Sequence, residues 1–109
     1  MADLLEQIAQ AIERQEGFHK TGSRSQRNNN PGNLKMGRFA RLFGASAMDE
    51  EHHAIFPSVE HGRMALRVLL WTKFRGQTLR QVGEVYAEDR RWAENVSKIS
   101  GLDKDTVIA

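Results

Sequence analysis

At 109 residues, with 39% hydrophobic and 28% charged side chains, the chain has material for one small globular domain with a modest core. It contains no cysteine, which excludes disulfides, thiolate metal sites and cysteine nucleophiles, and no apolar run near the roughly 18 residues a membrane-spanning helix needs. A net charge of +2 and a pI near 9.3 suit approach to an anionic polymer, cell wall or nucleic acid, without choosing between them.

The start, Met1-Ala2-Asp3-Leu4-Leu5-Glu6, lacks the basic end and apolar centre of a signal peptide, so no secretory address is expected. Residues 3–16 read as an amphipathic helix. Asp3 is placed as an N-cap, Glu6 as the acid of a capping box, and Gly17 as the stop. Leu4, Ile8, Ile12 and Glu16 recur every fourth residue and share one face. Residues 18–33 are rich in Gly, Ser, Asn and Arg and read as a loop. Residues 34–43 and 54–56 are the expected places for short strands, with 45–53 a weakly apolar excursion between them. Ser58 then caps a helix expected to run to Phe74 or Arg75, with Glu60 in its first turn. Its wide apolar coverage, from Val59 to Trp71, predicts burial on more than one side. Thr78 is placed to cap a short helix through Tyr86, and Asp89 another through Ser100 that stops at Gly101. The tail, 102–109, is expected to add a turn or fray. The fold class expected is α+β, mainly α, as a single domain over 1–109: a Glu-ended first helix, a long loop and small β-hairpin, then a helical lobe.

Glu16 is the leading candidate for chemistry. A carboxylate that continues a core-facing stripe is partly desolvated, and it stands at the negative end of the helix dipole; both favour the protonated acid. A glycosidase general acid needs that environment. The structural alternative is a boundary carboxylate that turns outward or pairs with Arg24 or Arg27. In Asn28-Asn29-Asn30-Pro31-Gly32-Asn33, proline fixes one torsion, glycine permits positive φ, and asparagines brace turns. Asn28, Asn29, Asn30 and Asn33 are therefore either braces or donors to sugar hydroxyl and N-acetyl groups. Ser58 reads as a cap rather than a nucleophile, and His61 as an exposed or core histidine with substrate contact as the alternative. His52-His53 beside Asp49-Glu50-Glu51 matches no zinc spacing, and adjacent histidines on an extended segment face opposite ways. A solvated acidic loop is expected there, with one acid available as a second catalytic carboxylate should the loop fold over a cleft. No metal or cofactor site is expected. Trp71 is assigned to the core; Tyr86 and Trp92 are candidates to stack on sugar faces.

Taken together, Glu16-Gly17-Phe18, Arg27 to Asn33 and Ala54-Ile55-Phe56-Pro57-Ser58-Val59-Glu60-His61-Gly62 resemble small phage-associated proteins of the lysozyme-like superfamily, near the lytic transglycosylases. The resemblance spans most of residues 8–75. Tyr86-Ala87-Glu88-Asp89 and Trp92-Ala93-Glu94-Asn95-Val96 look like that family's C-terminal helix. Trp92 stands where its members often carry tyrosine, and the last part of the chain is shorter than theirs. The resemblance implies that Glu16 is the acid/base of a muramidase acting on the bond between N-acetylmuramic acid and N-acetylglucosamine. It also implies peptidoglycan glycan strands as the partner. The site would be a phage virion or the host cytoplasm, with delivery to the periplasm or cell wall. A non-catalytic binding or virion structural module is the alternative. A small nucleic-acid-binding protein using Arg24, Arg27, Lys35, Arg38 and Arg41 is the weakest reading, given the modest net charge.

Overall fold

The computed structural model describes residues 3–86 and 91–109. It is a mainly helical α+β arrangement with one two-stranded antiparallel sheet. The first helix, α1 (Leu4–Gln15), begins at Asp3, whose carboxylate accepts the Glu6 amide, and ends at Glu16 as C-cap. Gly17 at φ 78° closes it in a Schellman motif: its amide bonds to the Arg14 carbonyl and the Phe18 amide to the Glu13 carbonyl. The left-handed turn redirects the chain at the residue after the candidate acid.

The loop and hairpin differ from the sequence expectation. Ser23 caps a short helix, α2 (Arg24–Arg27), inside the polar loop. Residues expected as the first strand instead form α3 (Arg38–Leu42). Phe39 and Phe43 are one helical turn apart, with ring centroids at 5.0 Å, while Ala40 points into the core between them. That period is helical, and only Lys35 keeps a bridge to the hairpin, opposite His53. The strand pair is β1 (Ala47–Met48) and β2 (Ala54–Ile55), in register Ala47 with Ile55 and Met48 with Ala54. So the weakly apolar excursion supplies the first strand.

The second long helix, α4 (Val59–Thr72), starts at the Ser58 cap and has Lys73 as its C-cap, two or three residues short of the expected stop. Trp71, assigned to the core by sequence, is 47% exposed and lies under the Arg75 guanidinium at 4.4 Å. Met64 is exposed too, because the wide stripe overshoots the face that α1 covers. Thr78 and Gln81 form a reciprocal cap for α5 (Leu79–Tyr86). The last helix, α6 (Trp92–Ser100), stops at Gly101; the cap expected at Asp89 lies outside the described residues. The tail does not fray. Ile108 is fully buried, and amides and carbonyls of 104–108 pair with 76–80, because its apolar end fills the mouth of the helical core.

Two hydrophobic clusters result. One lies among α1, α4, α5 and α6 around Ile8, Ile12, Leu66, Leu70, Leu79 and Trp92. The other lies under the hairpin around Leu34, Ala54, Phe56 and Ala65. Leu69 and Tyr86 pack against both.

Gly62 shows how tightly α4 meets the asparagine loop. A Cβ there would stand 2.1 Å from the Asn29 carbonyl oxygen and 2.8 Å from Pro31 Cδ. In an open helix, Gly to Ala gains about 1 kcal/mol. Here Gly62→Ala should instead cost at least about 1–3 kcal/mol, the range for overpacking. Urea unfolding would show it as a lower midpoint; a higher midpoint would mean that α4 and the loop are further apart.

Candidate active site

The elements converge on a cleft of about 360 Å³ between the hairpin and the helical cluster. The end of α1 brings Glu16 to it, the asparagine loop brings Asn33, the hairpin brings Lys35 and His53, and Tyr86 forms the far wall. Glu16 is partly buried. Its Oε2 accepts a hydrogen bond from Trp92 Nε1 at 3.1 Å, and its Oε1 lies 3.5 Å from Asn33 Nδ2. The indole N–H can only donate, so the carboxylate is held with one oxygen inward. Ser25 donates to the Glu16 carbonyl at 3.0 Å and fixes the backbone of the same residue.

The four asparagines divide. Asn30 is fully buried and bonds to the Leu34 carbonyl, the Ala54 carbonyl and the Leu34 amide, each at 2.9 Å. Asn29, at φ 52°, donates to the Phe56 carbonyl. Asn28 is buried and donates to Asp49 at 3.0 Å. These three brace the loop and the hairpin rather than face the cleft. Asn33 alone reaches it, and its Oδ1 is buried without a hydrogen-bond partner. Ser58 and His61 do not line the cleft. They pair at 2.6 Å at the start of α4, where Ser58 caps the helix.

Trp92 is 1% exposed, which leaves no face for a sugar to stack on. It works from behind Glu16, with the Tyr86 ring tilted against it at 5.1 Å. Tyr86 is only partly covered as a residue, but its hydroxyl points inward and donates to the Gly32 carbonyl. Burial of that phenol, and then the Glu16 and Glu13 charges, push its pKa well above the usual 10. The sign follows directly: the fold favours the neutral phenol, so this contribution is present below about pH 10 and is lost above it. Tyr86 is the only tyrosine in the chain. Its phenolate absorbance on alkaline titration should therefore lag behind free tyrosine and rise together with loss of helical circular dichroism. Ionisation near the ordinary value with the helices intact would refute the inward placement.

The acidic loop is ordered, not merely solvated. Arg24 pairs with Asp49 at 3.2 Å and with Glu51 at 2.8 Å. Burial works against ionised Asp49, but the His53 amide, the Asn28 side chain and the Glu51 amide outweigh it and hold the carboxyl well below its usual range. Asp49 is committed to that network, and Glu16 is the only carboxylate among the described residues lining the cleft. His52 is exposed and His53 buried, but His52 sits at φ 69° in a turn closed by its amide on the Asp49 carbonyl, so the segment is not the extended one expected. Burial, followed by the Lys35 charge, pushes the His53 imidazole below its ordinary range, so it stays neutral near pH 7.

No family model, curated protein or solved structure matches the chain. The cleft is therefore read from its own chemistry. One partly buried carboxylate, anchored by an indole and an amide, faces a groove lined by Tyr86, Leu69 and Phe74 and by the cations of Lys35 and Lys73. Such a site can deliver a proton to a bound oxygen and take one back.

Sequence reasoning placed Glu16, Asn33 and Tyr86 at this site. It missed Lys35, Lys73 and His53 as lining residues. For His53 the sequence pointed to a solvated acidic loop; for Lys73, one residue past α4, it held no signal.

Proposed function

We propose that the protein is a peptidoglycan-cleaving muramidase with a lysozyme-like fold, acting as a lytic transglycosylase through Glu16. The observation that carries this reading is the anchored Glu16 carboxylate in a cleft with no second carboxylate among its described lining residues. Hydrolysis with either stereochemistry normally uses two carboxylates, one to protonate the leaving oxygen and one to activate water or trap the sugar. Internal transfer needs only one. Glu16 protonates the glycosidic oxygen between N-acetylmuramic acid and N-acetylglucosamine. The resulting carboxylate then accepts the muramyl 6-hydroxyl proton as that hydroxyl closes a 1,6-anhydro ring. The proton count balances and no water is consumed.

The nucleic-acid reading is weakened at one of its five basic residues, because Arg24 is spent on Asp49 and Glu51. Mass spectrometry of soluble products from purified peptidoglycan tests the proposal. Anhydro-muropeptides are the expected result. Reducing muropeptides would make the enzyme a hydrolase, and no release by folded protein would favour a non-catalytic binding or virion structural module.

A further inference from the structure

One polar group in the cleft has no part in the cleavage chemistry. His53 stands just before β2 and lines the cleft, yet its side chain keeps only 9% of its surface exposed. Its Nδ1 is buried and has no hydrogen-bond partner. Asp49 Oδ1 lies 3.5 Å from that nitrogen, at the outer edge of bonding reach. The turn between the strands locks the two residues together. The His53 amide donates to Asp49 Oδ1 at 2.9 Å, and the Asp49 amide to the His53 carbonyl at 3.0 Å. Asn28 donates to the other carboxylate oxygen at 3.0 Å and Arg24 Nε stands 3.2 Å from it, so Asp49 cannot swing away. A neutral imidazole carries one proton, on either nitrogen. A lone pair on Nδ1 would face the ionised carboxylate, so the proton belongs on Nδ1 and the lone pair on Nε2, across the ring. None of the exposed edge is at Nδ1; it belongs to the rest of the ring, whose one remaining polar atom is Nε2. No other side chain lining the cleft among the described residues duplicates that acceptor. Lys35 and Lys73 only donate, the Tyr86 hydroxyl is turned to the Gly32 carbonyl, Asn33 Oδ1 is buried, and Glu16 is taken up by the proton transfers.

We infer that Asp49 fixes His53 with its proton on Nδ1, and that Nε2 is thereby a dedicated acceptor for an N–H or O–H group of the bound ligand. The inference rests on the glycan reading of the cleft, since a sugar strand is rich in such donors. It makes the grip on the ligand depend on pH through a residue that takes no part in cleavage. Burial, and then the Lys35 charge, hold the imidazole pKa below its ordinary range; Asp49 opposes them and Arg24 adds to them. The neutral form is the one that accepts. Affinity is therefore complete above about pH 6.5 and falls as the pH drops through the lowered value. Once protonated, the ring turns a donor toward a donor and the bond is lost.

Two measurements test it in the Glu16→Gln background, which leaves no carboxylate to titrate among the described lining residues. Nitrogen NMR spectra of the ligand-free protein read the His53 tautomer. The Nδ1–H form is expected at about pH 7.5, and the Nε2–H form would overturn the inference. Isothermal titration with fully N-acetylated chitooligosaccharides, which carry no titrating group, then reads the grip. Binding should weaken about fivefold from about pH 7.5 to about pH 5, the size of one lost hydrogen bond. His53→Gln, whose amide oxygen accepts at any pH, should keep the affinity and lose the pH dependence. His53→Phe should bind weakly throughout. Thermal melts check that both variants fold, and the tautomer reading stands without them. Binding that ignores pH, or a pH dependence that survives in both variants, would overturn the inference while leaving the glycan reading standing. No binding by the folded protein at any pH would overturn both.

Discussion

Glu16→Gln should lower the rate of peptidoglycan solubilisation by about 10²–10⁴, the range a positioned general acid–base group contributes. The fold should stay intact. Glutamine keeps an oxygen to accept the Trp92 Nε1–H bond, and once the Asn33 amide turns over, so that Oδ1 replaces Nδ2, the new amide nitrogen can donate to it. The thermal midpoint should therefore stay close to wild type, within the roughly 1 kcal/mol of a single exchanged hydrogen bond. Glu16→Ala is a contrasting case: it strands a buried indole N–H and should cost about 1–3 kcal/mol besides the activity. Product release rates and melting curves on the same samples separate chemistry from folding. A glutamine variant that keeps more than roughly a tenth of the wild-type rate would remove Glu16 from the proton transfers.

The largest stability effect is expected at Arg67. Its guanidinium makes two 2.8 Å bonds to the Glu6 carboxylate and a 2.7 Å bond to Glu13, joining α4 to α1. Glu13 is 3% exposed, and its other cation, Arg63, stands 3.7 Å away. The Arg67 hydrogen bond is the leading cause that holds Glu6 below the usual carboxylate range. Glu6 in turn raises Arg67, so each partner favours the charged form of the other. Removing one member of a buried ion pair leaves the other uncompensated, at about 3–5 kcal/mol. Arg67→Ala should lose that much, a large share of the roughly 5–15 kcal/mol a domain possesses. Chemical denaturation measures it. Adding Glu13→Gln to the variant should recover part of the loss, because the stranded charge, not the missing contact, carries most of it. A loss under about 1 kcal/mol would mean that water or Arg63 already satisfies Glu13.

How far the sequence foretold this molecule depends on where the controlling interaction lies. Helix ends were legible because their causes are local: Asp3, Ser58, Gly17 and Gly101 each act within a few residues. The hairpin was misplaced because residues 34–43 are apolar enough for a strand, and only the packing of Phe39 on Phe43 decides for a helix. The acid on α1 was legible from its stripe, but its partners were not. Trp92 lies 76 residues away, and nothing in its neighbourhood announces that its N–H will point at Glu16. The buried ion cluster left a trace that went unread. Glu6 and Glu13 are seven apart on one helix face, and Arg63 and Arg67 four apart on another, a pairing that only the contact between helices reveals.

Among the described residues, the two hydrophobic clusters share only Leu69 and Tyr86 as side chains packed against them, and both line the cleft. The floor of the groove is therefore also the seam of the molecule. On the proposed function, a glycan strand lying along it would touch both clusters at once. Each sugar that touched both sides would work as a splint, and parting the lobes would mean first letting go of the ligand. Grip and rigidity would become one quantity, so the side chains that fasten such a ligand would also decide how readily the product departs.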